Sequence, residues 1–352
     1  MSEKVLMKGN EAIAEAAIRA GCRHYFGYPI TPQTELAAYM SKRMPKIGGV
    51  FLQAESEISA INMVYGVAGS GKRVMTSSSS PGVSLKQEGI SYIAGSDLPA
   101  LIVNVQRGGP GLGGIQPSQS DYFQATKGGG HGDYHLIVLT PASVQEMADL
   151  TSLAFDLADK YRVPAMLLAD GTTGQMMEPV ELPEEKTVSV DKPWAVTGTG
   201  MKRKHNIINS LYLQPDELEK MNFERFERYK LIEENEVRYE SYLTEDADIV
   251  VVAFGIAARV SKNAVNEARR QGIKAGLVRP ITVWPFPKKA LADLSKTAKG
   301  FISVELSMGQ MIDDVRLAIN CSRPVALCNR AGGMIPSPDE VLDSIKKMQE
   351  GI

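Results

Sequence analysis

At 352 residues, with 43% hydrophobic and 23% charged side chains, the chain is long enough for two full cores, on a soft prior of roughly 150 residues per domain. A net charge of −2 offers no electrostatic reason to expect nucleic acid or an acidic membrane as partner. The N-terminal stretch carries acidic residues throughout and has no continuous apolar core, and no run of about 18 apolar residues occurs, so neither a targeting segment nor a membrane span is expected and the location reads as cytoplasmic.

Residues 1–180 alternate short apolar runs with longer small-residue-rich segments, the βα pattern of a parallel sheet. Strands are expected at 24–28, 49–53, 73–77, 100–105, 135–139 and 164–169, and helices at 9–20, 34–42, 57–69, 82–95 and 141–160. Gly108, Pro141 and Gly171 turn the chain sharply at several strand ends. The fold class is α/β, a Rossmann-like layer with helices on both faces. The first sharp turn is Gly27-Tyr28-Pro29-Ile30-Thr31-Pro32. Pro32 fixes its own φ and pushes Thr31 out of the α region, which holds the Thr31 hydroxyl at a strand end. Thr34 or Gln33 then opens a helix, with Glu35 in its first turn. Ligands of open α/β sheets bind at such strand ends, although an ordinary connecting loop has the same pattern.

Glu57 follows the apolar run Val50-Phe51-Leu52, with Ile61 and Val64 at helical spacing behind it, so its carboxylate falls on an otherwise apolar face. Burying it costs several kcal/mol unless something satisfies it, and a helix N-terminus returns only about 0.3–1 kcal/mol. A ring nitrogen of a bound cofactor would close the deficit; capping of its own helix is the plainer reading. Glu55, two residues away, points elsewhere and is the weaker candidate.

Gly66 to Lys72 fits the pattern of a phosphate loop, but Arg73 replaces the magnesium-binding hydroxyl and the glycines end a helix instead of opening one. Ser77-Ser78-Ser79-Ser80-Pro81-Gly82 precedes a helix, where N–H groups and hydroxyls either bind polar ligand atoms or cap the helix. Arg107 ends the strand Leu101 to Val105 and enters a run of glycines. Its planar fork matches a carboxylate in two parallel bonds, and the glycines allow a mobile, close-approaching loop; a loop-capping arginine is the alternative. Gly109 to Gly114 also fits a dinucleotide fingerprint, but Gln116-Pro117-Ser118 stands where its helix should run.

Residues 181–247 are charged and proline-bearing, reading as a linker or arm. From Pro215 to Leu243, Leu218, Met221, Phe223, Phe226 and Tyr229 recur at roughly helical spacing within a charge-dense stretch, which reads as a solvated helix face, with a connecting arm that also packs on a partner subunit as the functional alternative. Residues 248–352 form a smaller α/β unit without a titratable constellation of its own. Cys22, Cys321 and Cys328 are isolated, and His24, His131, His135 and His205 show no metal-ligand spacing. A four-thiolate iron–sulfur cluster is therefore not expected on this chain, and no metal site is assigned to it.

Tyr28 to Pro32 read YPITP, which resembles the signature of the 2-oxoacid:ferredoxin oxidoreductases in the subunit carrying the thiamine-pyrimidine (Pyr) domain. Met7-Lys8-Gly9-Asn10-Glu11-Ala12, Arg107-Gly108-Gly109-Pro110 and Val278-Arg279-Pro280-Ile281-Thr282 agree with it, so the resemblance covers most of the chain. Leu277 to Pro287 is similar to a stretch of transketolase C-terminal-like domains. Within the family the chain is most like α subunits acting on branched-chain 2-oxo acids such as 3-methyl-2-oxobutanoate, with the 2-oxoglutarate enzymes close behind.

The resemblance implies a Pyr-type domain over 1–180, and oxidative decarboxylation of a 2-oxo acid with coenzyme A to acyl-CoA, CO₂ and reduced ferredoxin, a reaction of anaerobic metabolism. Glu57 then acts on the aminopyrimidine of thiamine diphosphate, with Ser80 and Pro81 also near the cofactor. Thr31 and Arg107 hold the substrate carboxylate, and Tyr28 and Pro29 line the substrate. The family usually has glycine where this chain has Ser80. Gly132-Asp133-Tyr134 falls short of the Gly-Asp-Gly that binds diphosphate and Mg²⁺ in related enzymes. Half the cofactor site, the Mg²⁺ and the iron–sulfur clusters are therefore expected on other chains: a β subunit, a γ subunit and a ferredoxin-like subunit or external ferredoxin. The chain itself is expected to dimerise. A catalytically silent scaffold and a non-redox thiamine enzyme are the rival readings.

Overall fold

Val74–Ser78, Leu101–Gln106 and Ala165–Asp170 are buried at every position, as a parallel sheet covered by helices on both faces requires. The computed structural model describes residues 4–186 and 191–351. In chain order its elements are β1 (Lys4–Lys8), α1 (Gly9–Arg19), β2 (His24–Gly27), α2 (Thr34–Arg43), β3 (Val50–Gln53), α3 (Glu57–Gly69), β4 (Val74–Ser78), α4 (Ser80–Gly95), β5 (Leu101–Gln106), α5 (Tyr122–Thr126), β6 (Ile137–Leu139), α6 (Val144–Tyr161), β7 (Ala165–Asp170), α7 (Gly171–Gln175) and β8 (Met177–Glu181). There follow α8 (Pro215–Asn235), β9 (Tyr239–Tyr242), β10 (Ile249–Val252), α9 (Gly255–Arg270), β11 (Ala275–Pro280), β12 (Thr282–Trp284), α10 (Lys288–Leu294), β13 (Gly300–Glu305), α11 (Met311–Ala318), β14 (Val325–Asn329) and α12 (Pro338–Glu350).

The first sheet has the order β12-β6-β7-β5-β4-β2-β3 and is parallel except for β12. Helix α1 packs on α2 and α6, whereas α3 packs on α4. From β2 the chain passes through α2 to the edge strand β3, then returns through α3 across β2 to β4. The connections leaving β2 and β4 thus go to opposite faces, and the crevice beyond their carboxyl ends is a topological switch point, where α/β sheets bind ligands. The second sheet, β14-β13-β10-β11-β9, is parallel except for its edge strand β9.

Two strands cross the boundaries expected from the sequence. β9 lies in the arm stretch yet pairs with β11, and β12 lies in the second unit yet pairs antiparallel with β6 of the first sheet. β12 brings Trp284 onto His135, stacked at 4.6 Å, and Tyr229 of α8 closes the cluster edge-on. His135 is thereby drawn out of the strand expected from 135, which begins at Ile137. The arm helix departs from a merely solvated face: Arg225 is buried, and Arg225 and Arg228 both meet Asp97 at the end of α4. Ser143 caps α6, which begins three residues later than its pattern suggested. Trp284 is 8% exposed and joins both units and the arm. Trp284→Ala is expected to destabilise the chain by about 3–5 kcal/mol in denaturant unfolding.

Candidate functional site

The crevice between the ends of β2 and β4 is built from four segments. The Tyr28–Pro32 turn leaves β2, Glu57 starts α3, Ser78–Gly82 joins β4 to α4, and Arg107 leaves β5. All four leave strand ends on the same edge of one sheet.

Ser56 caps α3 through its hydroxyl, accepting from Ser59 N–H at 3.2 Å, which seats Glu57 in the first turn. Glu57 is 6% exposed, and no protein donor among the described residues reaches its carboxylate. It is not capping its own helix, because Ser56 already does so. Glu55 is exposed and accepts from the Ser59 hydroxyl, which holds its carboxyl below the usual range. Against Glu57 lies Gly82: a Cβ there would meet Glu57 Oε1 at 2.7 Å and crowd the Ser78 hydroxyl. Glycine at 82 therefore lets helix α4 approach the carboxylate. The Ser78 and Ser79 hydroxyls are buried without partners on the same wall.

Ser80 Oγ donates to Asp121 at 2.6 Å and accepts from Arg107 N–H at 3.0 Å, while Ser80 N–H donates to Asn104 Oδ1 at 3.2 Å. Its hydroxyl is thus committed to protein partners and ties the start of α4 to the Arg107 loop. Pro81 occupies the first turn of α4, where its missing N–H costs nothing. That helix begins at Ser80, two residues before the sequence pattern placed it. Burial raises the Asp121 carboxyl, opposed by the bonds from Ser80 and Asn104.

Arg107 is 8% exposed; it donates to Thr31 O at 3.0 Å and Leu112 O at 3.2 Å, and its Nε is buried without a partner. The arginine therefore meets the YPITP turn through the Thr31 backbone. Thr31, Tyr28 and Pro29 are exposed at the rim, as are Leu112 and Ile115. Arg107 pairs with Pro117, and Gly108 N–H donates to Gln116 O at 2.9 Å, so the glycine loop is closed at its base. A cavity of about 530 Å³ opens beside it, lined by Ser80, Arg107, Asp121, Ser307, Met308 and Gln310. The second unit thus contributes to the wall.

Sequence reasoning passed over Lys86. It is fully buried one helical turn beyond Gly82, and donates to Thr76 Oγ1 at 2.7 Å and Ser77 O at 3.0 Å. Burial lowers its ammonium from 10.5 to about 7, with the Glu57 charge opposing the fall. The signal was present in the sequence: Lys86 interrupts the stripe Val83, Ile90, Ile93 at the spacing of the buried face. Beside it Tyr25, Ser77 and Gln33 form a buried chain, Tyr25 hydroxyl to Ser77 Oγ at 2.7 Å and Ser77 Oγ to Gln33 Oε1 at 2.6 Å, and burial holds the Tyr25 phenol up at about 12.

Among the described residues no group of three or more His, Cys, Asp and Glu is placed to hold a metal ion, and no helix is long and apolar enough to cross a membrane. Gly66 to Gly71 close α3 ahead of β4, and Gly111 and Gly113 lie in a helix-free loop, so neither the phosphate-loop pattern nor the dinucleotide fingerprint is in its working context.

Residues 15–257 match the family described as pyruvate flavodoxin/ferredoxin oxidoreductase, thiamine diphosphate-binding, and residues 247–341 match pyruvate:ferredoxin oxidoreductase core domain II. The chain is 54% identical to the ketoisovalerate oxidoreductase subunit VorB of Methanothermobacter marburgensis, over 98% of this chain and 97% of that protein. It is 36% identical to the 2-oxoglutarate synthase subunit KorA of the same organism, over 99% of this chain and 100% of that protein. Among solved structures, 2-oxoglutarate:ferredoxin oxidoreductase from Magnetococcus marinus, with 2-oxoglutarate, coenzyme A and succinyl-CoA bound, superposes with a TM-score of 0.85 at 28% identity, covering 99% of this chain and 65% of that one. A split-gene transketolase shares the fold at a TM-score of 0.62 and 13% identity.

Ser80→Ala removes one of the two donors to the half-buried Asp121 Oδ2 and leaves the Arg107 N–H without its acceptor. It is expected to cost about 1–3 kcal/mol and to speed amide exchange across residues 107–114.

Proposed function

The chain belongs to the pyruvate flavodoxin/ferredoxin oxidoreductase family, whose members are 2-oxoacid:ferredoxin oxidoreductase subunits, and from that premise we propose that it is the α subunit of a branched-chain enzyme. With its partner subunits it carries out oxidative decarboxylation of 3-methyl-2-oxobutanoate with coenzyme A, giving acyl-CoA, CO₂ and reduced ferredoxin. The observation that carries this reading is the unpartnered, buried Glu57 carboxylate at the switch-point crevice, in a chain similar over nearly its whole length to ketoisovalerate oxidoreductase subunits.

The residues present fit the pyrimidine end of thiamine diphosphate. Glu57 offers a carboxyl without a protein partner, Ser78 and Ser79 offer unpaired buried hydroxyls, and Gly82, lacking a side chain, lets α4 pack close against them. When bound, the cofactor supplies the electron sink for decarboxylation. Glu57 holds and moves the proton at the pyrimidine ring nitrogen, where a group within hydrogen-bond reach is needed. Arg107 receives the substrate carboxylate: two of its N–H groups are spent on Thr31 O and Leu112 O, which fix the fork, and Nε remains free. The diphosphate, the Mg²⁺ and the iron–sulfur clusters belong on partner subunits. Ile58 and Leu85, exposed beside Glu57 and Lys86 in the sequence, support a partner seated over the crevice.

The 2-oxoglutarate reading has a lower-identity relative behind it. The exposed apolar rim of Tyr28, Leu112 and Ile115 supports a branched aliphatic side chain over a second carboxylate. Glu57→Gln in the assembled complex is expected to lower turnover by about 10²–10⁴-fold at saturating thiamine diphosphate; unchanged turnover removes the assignment. An acyl-CoA assay across branched, aryl and dicarboxylic 2-oxo acids is expected to rank 3-methyl-2-oxobutanoate above 2-oxoglutarate.

A further inference from the structure

The arm carries two apolar surfaces that the rest of the chain leaves uncovered, and their flanking charges are opposite in sign. The first is an extended stretch, residues 206–213, which lies outside any helix or strand and with which no strand among the described residues pairs. Its exposure alternates residue by residue, as along a β-strand: Asn206, Ile208, Ser210 and Tyr212 are half-buried, while Ile207, Asn209, Leu211 and Leu213 face out. Ile208 packs opposite Gly69 at the end of α3, and Ser210 opposite Gly95 at the end of α4. Ile207, Leu211 and Leu213 are each at least 70% exposed. Ahead of them stand Lys202, Arg203, Lys204 and His205, and neither Lys202 nor Lys204 meets a carboxylate among the described residues.

The second surface is a groove of about 600 Å³ along α8, lined by Leu218, Phe223 and Phe226. Phe223 is 65% exposed. Asp133 and Glu219 stand on the rim without a cationic partner among the described residues, whereas Glu227 and Lys230 neutralise each other at 2.6 Å. Large apolar side chains left in water inside a polar rim mark an interaction site. The extended stretch cannot turn its outward face into the groove of its own chain without giving up the contacts of its inward face with α3 and α4. One polypeptide thus carries both halves of a complementary contact, basic and apolar on the stretch, acidic and apolar on the groove. Two-fold pairing satisfies both halves at once, because what the first protomer offers the second receives, and the reverse.

We propose that the arm is an exchange surface between two copies of this chain, residues 202–213 of each protomer lying in the α8 groove of its partner. Ile207, Leu211 and Leu213 meet Leu218, Phe223 and Phe226, and Lys202 and Lys204 meet Asp133 and Glu219. The apolar contacts supply the affinity, with Phe223 as the central anchor, and the charges fix direction and register. Nothing in this arrangement depends on the role of Glu57 or on the reaction proposed above.

Charge reversal separates this pairing from its alternatives. Lys202→Glu with Lys204→Glu leaves stretch and groove both acidic; Asp133→Lys with Glu219→Lys leaves both basic. Self-association of the full chain, read by sedimentation equilibrium, is expected to fall about 10-fold or more in each of these two variants. Mixed in equal amounts, they pair with each other at wild-type strength, since each stretch now meets a groove of opposite sign. Native mass spectrometry of the mixture reads that mixed pair by its mass. A stretch lying in its own chain's groove would gain nothing from mixing. Phe223→Glu and Leu211→Ser, both at exposed positions, are expected to weaken self-association by the same order, and they serve if a charge variant fails to fold.

A wild-type chain that stays monomeric overturns the proposal. So do charge variants that self-associate as the wild type does, a mixture without the mixed pair, or unchanged association in both Phe223→Glu and Leu211→Ser. Loss of a different subunit from the assembled complex of Phe223→Glu, with the two copies still paired, also overturns it, because the groove then belongs to that subunit.

Discussion

Glu57, 6% exposed and given no donor by its own protein among the described residues, is held at the crevice by the elements around it. Ser56 takes over the capping of α3, so Glu57 is not drawn into its own helix terminus. Gly82 removes the one side-chain atom that would displace it, so α4 approaches the carboxylate closely.

The Arg107 side of the crevice is held by a different logic. Arg107 is anchored through two backbone carbonyls, and its loop is pinned below by Ser80 and closed at its base by Gln116 and Pro117. The second unit buttresses this arrangement. Gln119 exchanges bonds with Leu306 on both sides and donates to Phe254 O at 2.8 Å, and Tyr122 donates to Asp314 at 2.6 Å. Glu305, fully buried, accepts from Ser303, Ser307 and the N–H groups of Gln310, Met311 and Ile312. It is a carboxylate saturated by its own protein, the opposite case to Glu57, and it fixes the segment that walls the cavity beside Arg107.

Much of the first sheet was legible because strand after strand is a short apolar run closed by glycine or proline, and such signals are local. Glu57 was legible for a related reason, a carboxylate at the apolar spacing of a helix. Lys86 carried the same signal and was passed over, since a lysine is usually assigned to the solvated side. Ser80 was read as a ligand contact, whereas its hydroxyl is taken up by Asp121 and Arg107, residues more than 20 positions away. The sheet change of Thr282–Trp284 left no local trace, because nothing in a three-residue run says which of two edges it will pair with.

By itself the sequence determined the α/β alternation, the stiff YPITP turn, the family that this turn betrays, and the lack of cysteines spaced for a cluster. All of these depend on chemistry within a few residues. The tertiary structure alone decided that Glu57 and not Glu55 is buried without a partner, that Lys86 is fully buried against Thr76 and Ser77, and that the second unit walls the cavity beside Arg107. Burial, electrostatic fields and strand partners depend on segments brought together from distant parts of the chain, and no local pattern encodes those distances.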